Sequence, residues 1–253
     1  MRINVSRCTL NDIQSLRVLF LNEMKAQFIH NKCHLYNWSD DYSFALDDVN
    51  VGYGCVWGTD QRQDRDTIFE FYLLPAYRRY RKAFMDELIH VSGVTTLECQ
   101  TNDPNTSPVF FENAKKIDAQ AILFADTSTT TWPLGEVMVV DKSDPTDLQR
   151  ERKIELVLAG ETVAIGGLLL NYNHPFADVY LEVPESHRRR GYGTLLVQEA
   201  KRMAYAIGRV PAARCNVTNH VSKATLGRAG FSSCGYLLMG KVAGIKEQKK
   251  SPN

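Results

Sequence analysis

A chain of 253 residues is long enough for one large domain or two small ones, each with its own hydrophobic core. With 44% hydrophobic and 23% charged residues it is composed like a soluble globular protein, and 30 basic against 29 acidic residues leave no net field for bulk attraction to nucleic acid or membrane. Charges at Arg2, Arg7 and Asp12 interrupt any leader-like apolar run, no stretch approaches the ~20 apolar residues that span a bilayer, and the six cysteines lack the spacing of a disulfide framework or a zinc site. A cytoplasmic protein with reduced, mostly buried thiols is the expectation.

In chain order, Arg2 to Val5 reads as a strand. Thr9 with Asp12 three residues later forms a capping-box-like start for a helix, whose apolar positions Ile13, Leu16, Phe20 and Met24 recur at helical spacing. His30-x-x-Cys33-His34 sets two imidazoles four apart with a thiol beside them. No further ligand block follows and Cys33 lies off the histidine face, so no metal is expected. Tyr36, Trp38 and Tyr42 crowd one segment and suit either core packing or acceptor contact. Ser43 to Leu46 and Val51 to Trp57 read as a hairpin, and Phe69 to Leu74 as a strand ending at Pro75 with Arg78, Arg79 and Arg81 beyond. A helix around Val109 to Lys116 and closing strands near Ala121 to Ala125 and Glu136 to Val140 complete a first half.

The polar run Asp141 to Asp147 has the composition of a linker. After it the same order returns. Ile154 to Leu158 and Val163 to Leu169 flank a glycine-bearing turn, and Asp178 to Val183 forms a strand ending at Pro184. Then comes His187-Arg188-Arg189-Arg190-Gly191-Tyr192-Gly193-Thr194, which opens a helix with Tyr192, Leu196, Ala200, Met203 and Ile207 on one face, closed by Gly208. Two glycines let backbone approach a ligand with no Cβ in the way, and the first amides of a helix have no intrahelical partner. Three arginines in a loop also suit a solvated surface. With Pro75 set on Pro184, Arg79 falls on Arg188, Lys82 on Gly191 and Phe84 on Gly193; sliding by one residue substitutes Arg81 and Ala83 for the glycines. In either register the first half lacks the first glycine.

Arg188-x-x-Gly191-x-Gly193, five residues after Val183, resembles the acyl-CoA pyrophosphate motif of the GNAT superfamily of N-acyltransferases. Asn219-x-x-Ser222 followed by Gly230-Phe231 matches a second block of that family in the right order. The resemblance is firm over about residues 154 to 243. It implies an α/β fold with a mixed, mostly antiparallel sheet flanked by helices, and the repeated order of elements extends this to two tandem lobes: 1–140 a degenerate lobe, 141–153 a linker, 154–245 the acyl-CoA-binding domain and 246–253 a frayed tail. It also implies acetyl-CoA as co-substrate. The pyrophosphate would sit over Arg188, Arg189, Arg190, Gly191, Tyr192, Gly193 and Thr194, and the pantetheine arm would bond the backbone of Leu181 and Val183 like an added strand, with Asn219 and Ser222 on the far side.

Little room remains between the linker and Ile154 for a complete set of opening elements, so the first half is expected to supply the missing wall of the acceptor pocket. Transfer to an amine needs the neutral amine, only ~0.04% of a lysine-like group at pH 7, so a base matters. Asp178 is the first candidate and Glu182 the second; with Tyr180 they share one strand face. The family's tyrosine, seven residues after the asparagine, is here Leu226, which cannot protonate the departing thiolate; Tyr180, Tyr192 or Tyr236 are possible substitutes. The reading is an N-acetyltransferase acting on a primary amine of a small molecule or peptide, with no metal, nucleic-acid or membrane partner. The alternative is a catalytically weak or inactive acyl-CoA-binding regulatory or scaffold protein.

Overall fold

The computed structural model describes residues 2–131, 133 and 135–244, so the expected tail from Lys246 lies outside the described residues. The chain forms two compact units: Met1–Glu23, Tyr36–Ala119 and Leu238–Asn253 make the first, and Met24–Leu35 with Gln120–Leu237 make the second. No helix among the described residues is long and apolar enough to cross a membrane.

The first unit opens with β1 (Ile3–Cys8) and α1 (Leu10–Glu23). The Asp12 carboxylate accepts from the Thr9 amide at 2.8 Å and the Thr9 hydroxyl at 2.7 Å, which satisfies donors at the helix start. Ile13, Leu16 and Phe20 are buried, while Met24 falls beyond the helix, in the second unit. β2 (Asp40–Leu46) and β3 (Val49–Trp57) are joined through Asp47 and Asp48, at φ 47° and 66°. Two successive left-handed residues make the tight turn whose twist matches a hairpin, and aspartate tolerates that conformation. β4 (Thr67–Leu73), a 3-10 turn (Pro75–Tyr80), α3 (Arg81–Ser92), β5 (Thr96–Gln100) and α4 (Thr106–Asn113) follow. The sheet runs β1-β2-β3-β4-β5, antiparallel except for β4 with β5. Phe44, Phe71, Phe84 and Leu88 centre its core.

The expected helix to Lys116 instead stops at Asn113, because β6 (Ala114–Asp126) begins at the next residue. The stretch expected as a second closing strand of the first half is β7 (Met138–Asp141), and it pairs with β8 (Glu151–Leu158) in the second unit. β8 and β9 (Glu161–Leu169) repeat the tight hairpin through Ala159 and Gly160, at φ 49° and 83°. Then come β10 (Phe176–Glu182), a 3-10 turn (Glu185–His187), α5 (Tyr192–Ala206), β11 (Val210–Asn216), α6 (His220–Arg228) and β12 (Phe231–Val242). The order is β6-β11-β10-β9-β8-β7, again with one parallel pair, β10 with β11. Val197, Ala200 and Ala204 of α5 pack on Val179, Ala213 and Phe231, whereas Ile207 lies past the helix end and is exposed. Small residues on α5 bring the helix close to the sheet and fix where its first turn points.

Met24–Leu35 comes from the first half of the sequence but packs within the second unit. The Phe28 amide donates to Asn173 Oδ1 at 2.6 Å and Asn173 Nδ2 donates to the Ala26 carbonyl at 3.1 Å, while Ile29 packs on Leu123 and Tyr172. It carries α2 (Asn31–Leu35), in which Cys33 and His34 are buried.

Candidate active site

The parallel pairing of β10 with β11 covers only Phe176↔Val210, Ala177↔Pro211 and Asp178↔Ala212. Beyond Asp178, β10 stays with β9 as far as Glu182↔Ile165, and β11 stays with β6 as far as Asn216↔Ala121. The two strands therefore part at Asp178. The Val210 amide donates to the Pro175 carbonyl at 2.9 Å, so strand alternation turns the backbone of Ala177, Val179 and Leu181 to the β11 side. Past the vertex, the Val179 carbonyl and both polar groups of Leu181 face an opening with no ladder partner from β11. An extended, amide-bearing ligand fits such an edge as an added strand.

The loop above the opening contains two residues with left-handed backbone. Gly191 precedes α5 at φ 90°, and Arg189 also holds a left-handed φ of 62°. No side chain caps α5, so the amides of Tyr192, Gly193 and Thr194 are left for an anion. A Cβ on Gly193 would stand 3.3 Å from both Leu181 and Thr225, and the close fit holds the first helical turn against the strand edge. Arg188 Nε donates to the Val183 carbonyl at 3.2 Å, which fixes the loop's entry. Arg188, Arg189 and Arg190 are exposed and make no ion pair among the described residues. His187 contacts Glu161 at 2.9 Å.

Asn219 begins α6, its Oδ1 accepting from the Ser222 amide at 3.0 Å. Ser222 thus takes part in a helix cap, and the Asn219 carbonyl oxygen is committed to it. Leu226 is buried beneath α6 in the core with Ala200 and Phe231, so this position does not open toward solvent. Leu226→Tyr should accordingly destabilise the fold by about 1–3 kcal/mol through overpacking, read as a lower Tm, and should not raise turnover.

Asp178, Tyr180 and Glu182 have separate surroundings. Asp178 is buried at the vertex, its Oδ2 3.0 Å from an Arg214 nitrogen. Burial raises its pKa above the ordinary carboxylate range, opposed by the Arg214 charge and by Gln27, Lys32 and Tyr172. Its Oδ1 makes no hydrogen bond of good geometry. The Tyr172 hydroxyl accepts from Arg214 at 3.0 Å, and burial pushes the phenol up to about 12. Tyr180 donates to Glu151, and burial with that bond raises its pKa, so the phenol is a poor acid where it stands. Glu182 is exposed. The pairing with Arg214 was hidden because it depends on register: Ala212 faces Asp178, and Arg214 lies two residues on, on the same face. Gln27 and Lys32 reach the site from α2 and the segment before it.

The first unit has the same frame, differently filled. β4 and β5 pair only at Thr67↔Thr96 and Ile68↔Leu97. Arg78 Nε donates to the Leu73 carbonyl at 3.3 Å, as Arg188 does to Val183. Arg78, not Arg79, is therefore the counterpart of Arg188, and Arg81 stands where Gly191 stands. The proline match misleads by one residue, since Leu74 and Pro184 precede their 3-10 turns with the same conformation. Arg81 is right-handed at φ −53°. Thr106 fills the gap: the Phe71 amide donates to its Oγ1 at 3.3 Å, and its hydroxyl lies 3.4 Å from the Phe71 carbonyl. These are the groups that in Leu181 face the opening. Arg78 is paired with Glu23 and Arg81 with Glu112. What remains beside Phe71, Arg78 and Asn105 is a void of about 30 Å³, room for about one water.

Asp103, buried beside Asn105 and Thr106, has its carboxyl pushed up to about 6 by burial. The folded state holds its proton more tightly than the unfolded state, so this group's contribution is full below pH ~4 and is lost as pH rises through about 6. Asp103→Asn should raise stability at pH 8 by up to ~2–3 kcal/mol, with the gain vanishing below pH ~4, as followed by thermal melts across pH.

Residues 9–127 match the family described as Acetyltransferase (GNAT) domain, and residues 124–231 match the Acetyltransferase (GNAT) family. No curated protein sequence matches the chain. It is similar in fold to a GNAT-family acetyltransferase from Colwellia psychrerythraea, with TM-score 0.77 and 14% identity over 96% of this chain and 100% of that one. A tandem GNAT protein from the clavulanic acid biosynthesis pathway superposes with TM-score 0.64 and 13% identity over 97% and 100% of the two chains. A GCN5-related N-acetyltransferase from Kribbella flavida gives TM-score 0.52 and 14% identity over 92% and 95%. The chain belongs to the GNAT superfamily, with two such domains in tandem.

Proposed function

We propose that the second unit binds acetyl-CoA and transfers its acetyl group to a primary amine by direct attack. The observation that carries this reading is the parting of β10 and β11 at Asp178 beneath a loop with left-handed Arg189 and Gly191. The residues fit the ligand: exposed arginines and uncapped α5 amides suit a pyrophosphate, and Leu181 offers a donor and an acceptor to the amides of a pantetheine arm. The first unit, with its equivalent edge occupied by Thr106, supports a single such site.

When bound, acetyl-CoA supplies an activated acetyl thioester. Asp178, ionised and oriented by Arg214, takes a proton from the incoming ammonium, directly or through water. The neutral nitrogen then forms a C–N bond to the acetyl carbon as the C–S bond breaks, and the second proton lost by that nitrogen passes to the departing sulfur or to water. The sulfur leaves as a thiolate, whose conjugate acid has a pKa near 8.5, so the absence of a proton donor at Leu226 slows the step without preventing it. That same absence favours a second reading, an acyl-CoA-binding regulator without turnover. Thiol release from acetyl-CoA across a panel of amines separates the two. Acceleration by at least one amine supports transfer; tight acetyl-CoA binding with no acceleration by any supports the regulator.

A further inference from the structure

A cavity of about 470 Å³ in the second unit is not used by the mechanism above; Gln149, Arg152, Leu170, Tyr172, His174 and Arg209 line it. Its size suits a small molecule. Its lining contains two guanidinium groups and no carboxylate. Arg152 Nε is buried and makes no hydrogen bond. Asp141, the acid whose ionisation feels Arg152, is exposed and bonded to Ser143. Arg209 donates to the Leu170 carbonyl at 3.0 Å, and burial alone, with no acid offsetting it, lowers its pKa. Neither arginine forms an ion pair among the described residues. Two partly desolvated cations around one cavity are costly unless an anion completes them.

The cavity also adjoins the reacting end of the site. Tyr172 lines it and accepts from Arg214, which contacts Asp178 at the vertex where β10 and β11 part. We propose that the cavity is the acceptor's anion subsite, with Arg152 and Arg209 holding a carboxylate or phosphate carried on the same small molecule as the amine. Guanidinium forks match both anions, and each bond made is charge-assisted. This rests on the acetyl-transfer reading and narrows it. A small zwitterionic or phosphorylated amine is the substrate class, and a polycationic peptide is disfavoured by the charge of the lining.

The test is calorimetric titration of the full chain with γ-aminobutyrate, phosphoethanolamine and uncharged-tail ethanolamine, paired with thiol release from acetyl-CoA for each. At least one anion-bearing amine is expected to bind ~10-fold or more tighter than ethanolamine, and which one does so distinguishes carboxylate from phosphate. Arg152→Gln and Arg209→Gln should each weaken it by ~10- to 100-fold, the worth of a charge-assisted bond, while Arg209→Lys retains part. Equal binding of all three amines, or undiminished affinity in variants whose circular dichroism is native, would overturn the subsite. Should Arg209→Gln fail to fold for want of its bond to Leu170, Arg152→Gln decides. Anion-dependent binding without thiol release would keep the subsite and sink the transfer reading. Release that is indifferent to anion and variant would do the reverse.

Discussion

Gly191→Val is expected to weaken acetyl-CoA binding by at least ~10-fold, with Tm lowered by no more than a few degrees. Gly191 sits at φ 90°, and an L-residue forced into left-handed backbone costs about 1–2 kcal/mol, more for a branched side chain. The exposed loop escapes that cost by leaving the conformation that gathers the Tyr192, Gly193 and Thr194 amides. Apparent affinity then falls by the lost fraction of competent loop, ~5- to 30-fold from backbone strain alone, before any contact between the new side chain and the ligand. The matching change in the first unit, Arg81→Gly, should create no second site, because Thr106 still holds the Phe71 backbone and Glu23 still holds Arg78. Isothermal titration of both variants checks the pair.

Asp178→Asn is expected to lower kcat by ~10²- to 10⁴-fold while acetyl-CoA affinity stays within about twofold. Asparagine keeps the shape but accepts no proton. The distinguishing readout is the pH profile. Burial raises the Asp178 pKa, so the wild type should lose kcat/KM as pH falls through that raised value, when the carboxyl is protonated and cannot act as a base. The variant's residual rate should lack that acidic limb. A carboxylate that merely held Arg214 in place would change Tm and KM and leave the limb in the residual rate. Glu182→Gln, at an exposed position, should alter kcat by less than about threefold.

What could be read from the sequence was local. Period-two and period-3.6 patterns located β1 to β4 and α1 in the first half and β8 to β10 and α5 in the second, Ala159-Gly160 marked a tight turn, and the two glycines flanking Tyr192 marked a loop where backbone is open to a ligand. Each depends on residues a few positions apart. What escaped depends on distant contacts. Arg78 rather than Arg79 answers to Arg188, because the match is set by a bond to a carbonyl five residues back and not by the nearest proline. Thr106 lies 35 residues from the backbone it occupies, and nothing in its neighbourhood marks it as a plug. Arg214 meets Asp178 only once a parallel register is known. Gln27 and Lys32 act on Asp178 and Phe28 bonds Asn173 from a segment far earlier in the chain, and no periodicity sets Met24–Leu35 apart from its surroundings.

The central claim is that a frame built twice binds acyl-CoA once, where the backbone beneath an arginine loop is free. The stoichiometry of acetyl-CoA binding tests it most directly. Isothermal titration of the wild-type chain should give one site per chain, retained in Arg81→Gly and weakened strongly in Gly191→Val. Two sites per chain, no binding, or one site indifferent to Gly191→Val would contradict it.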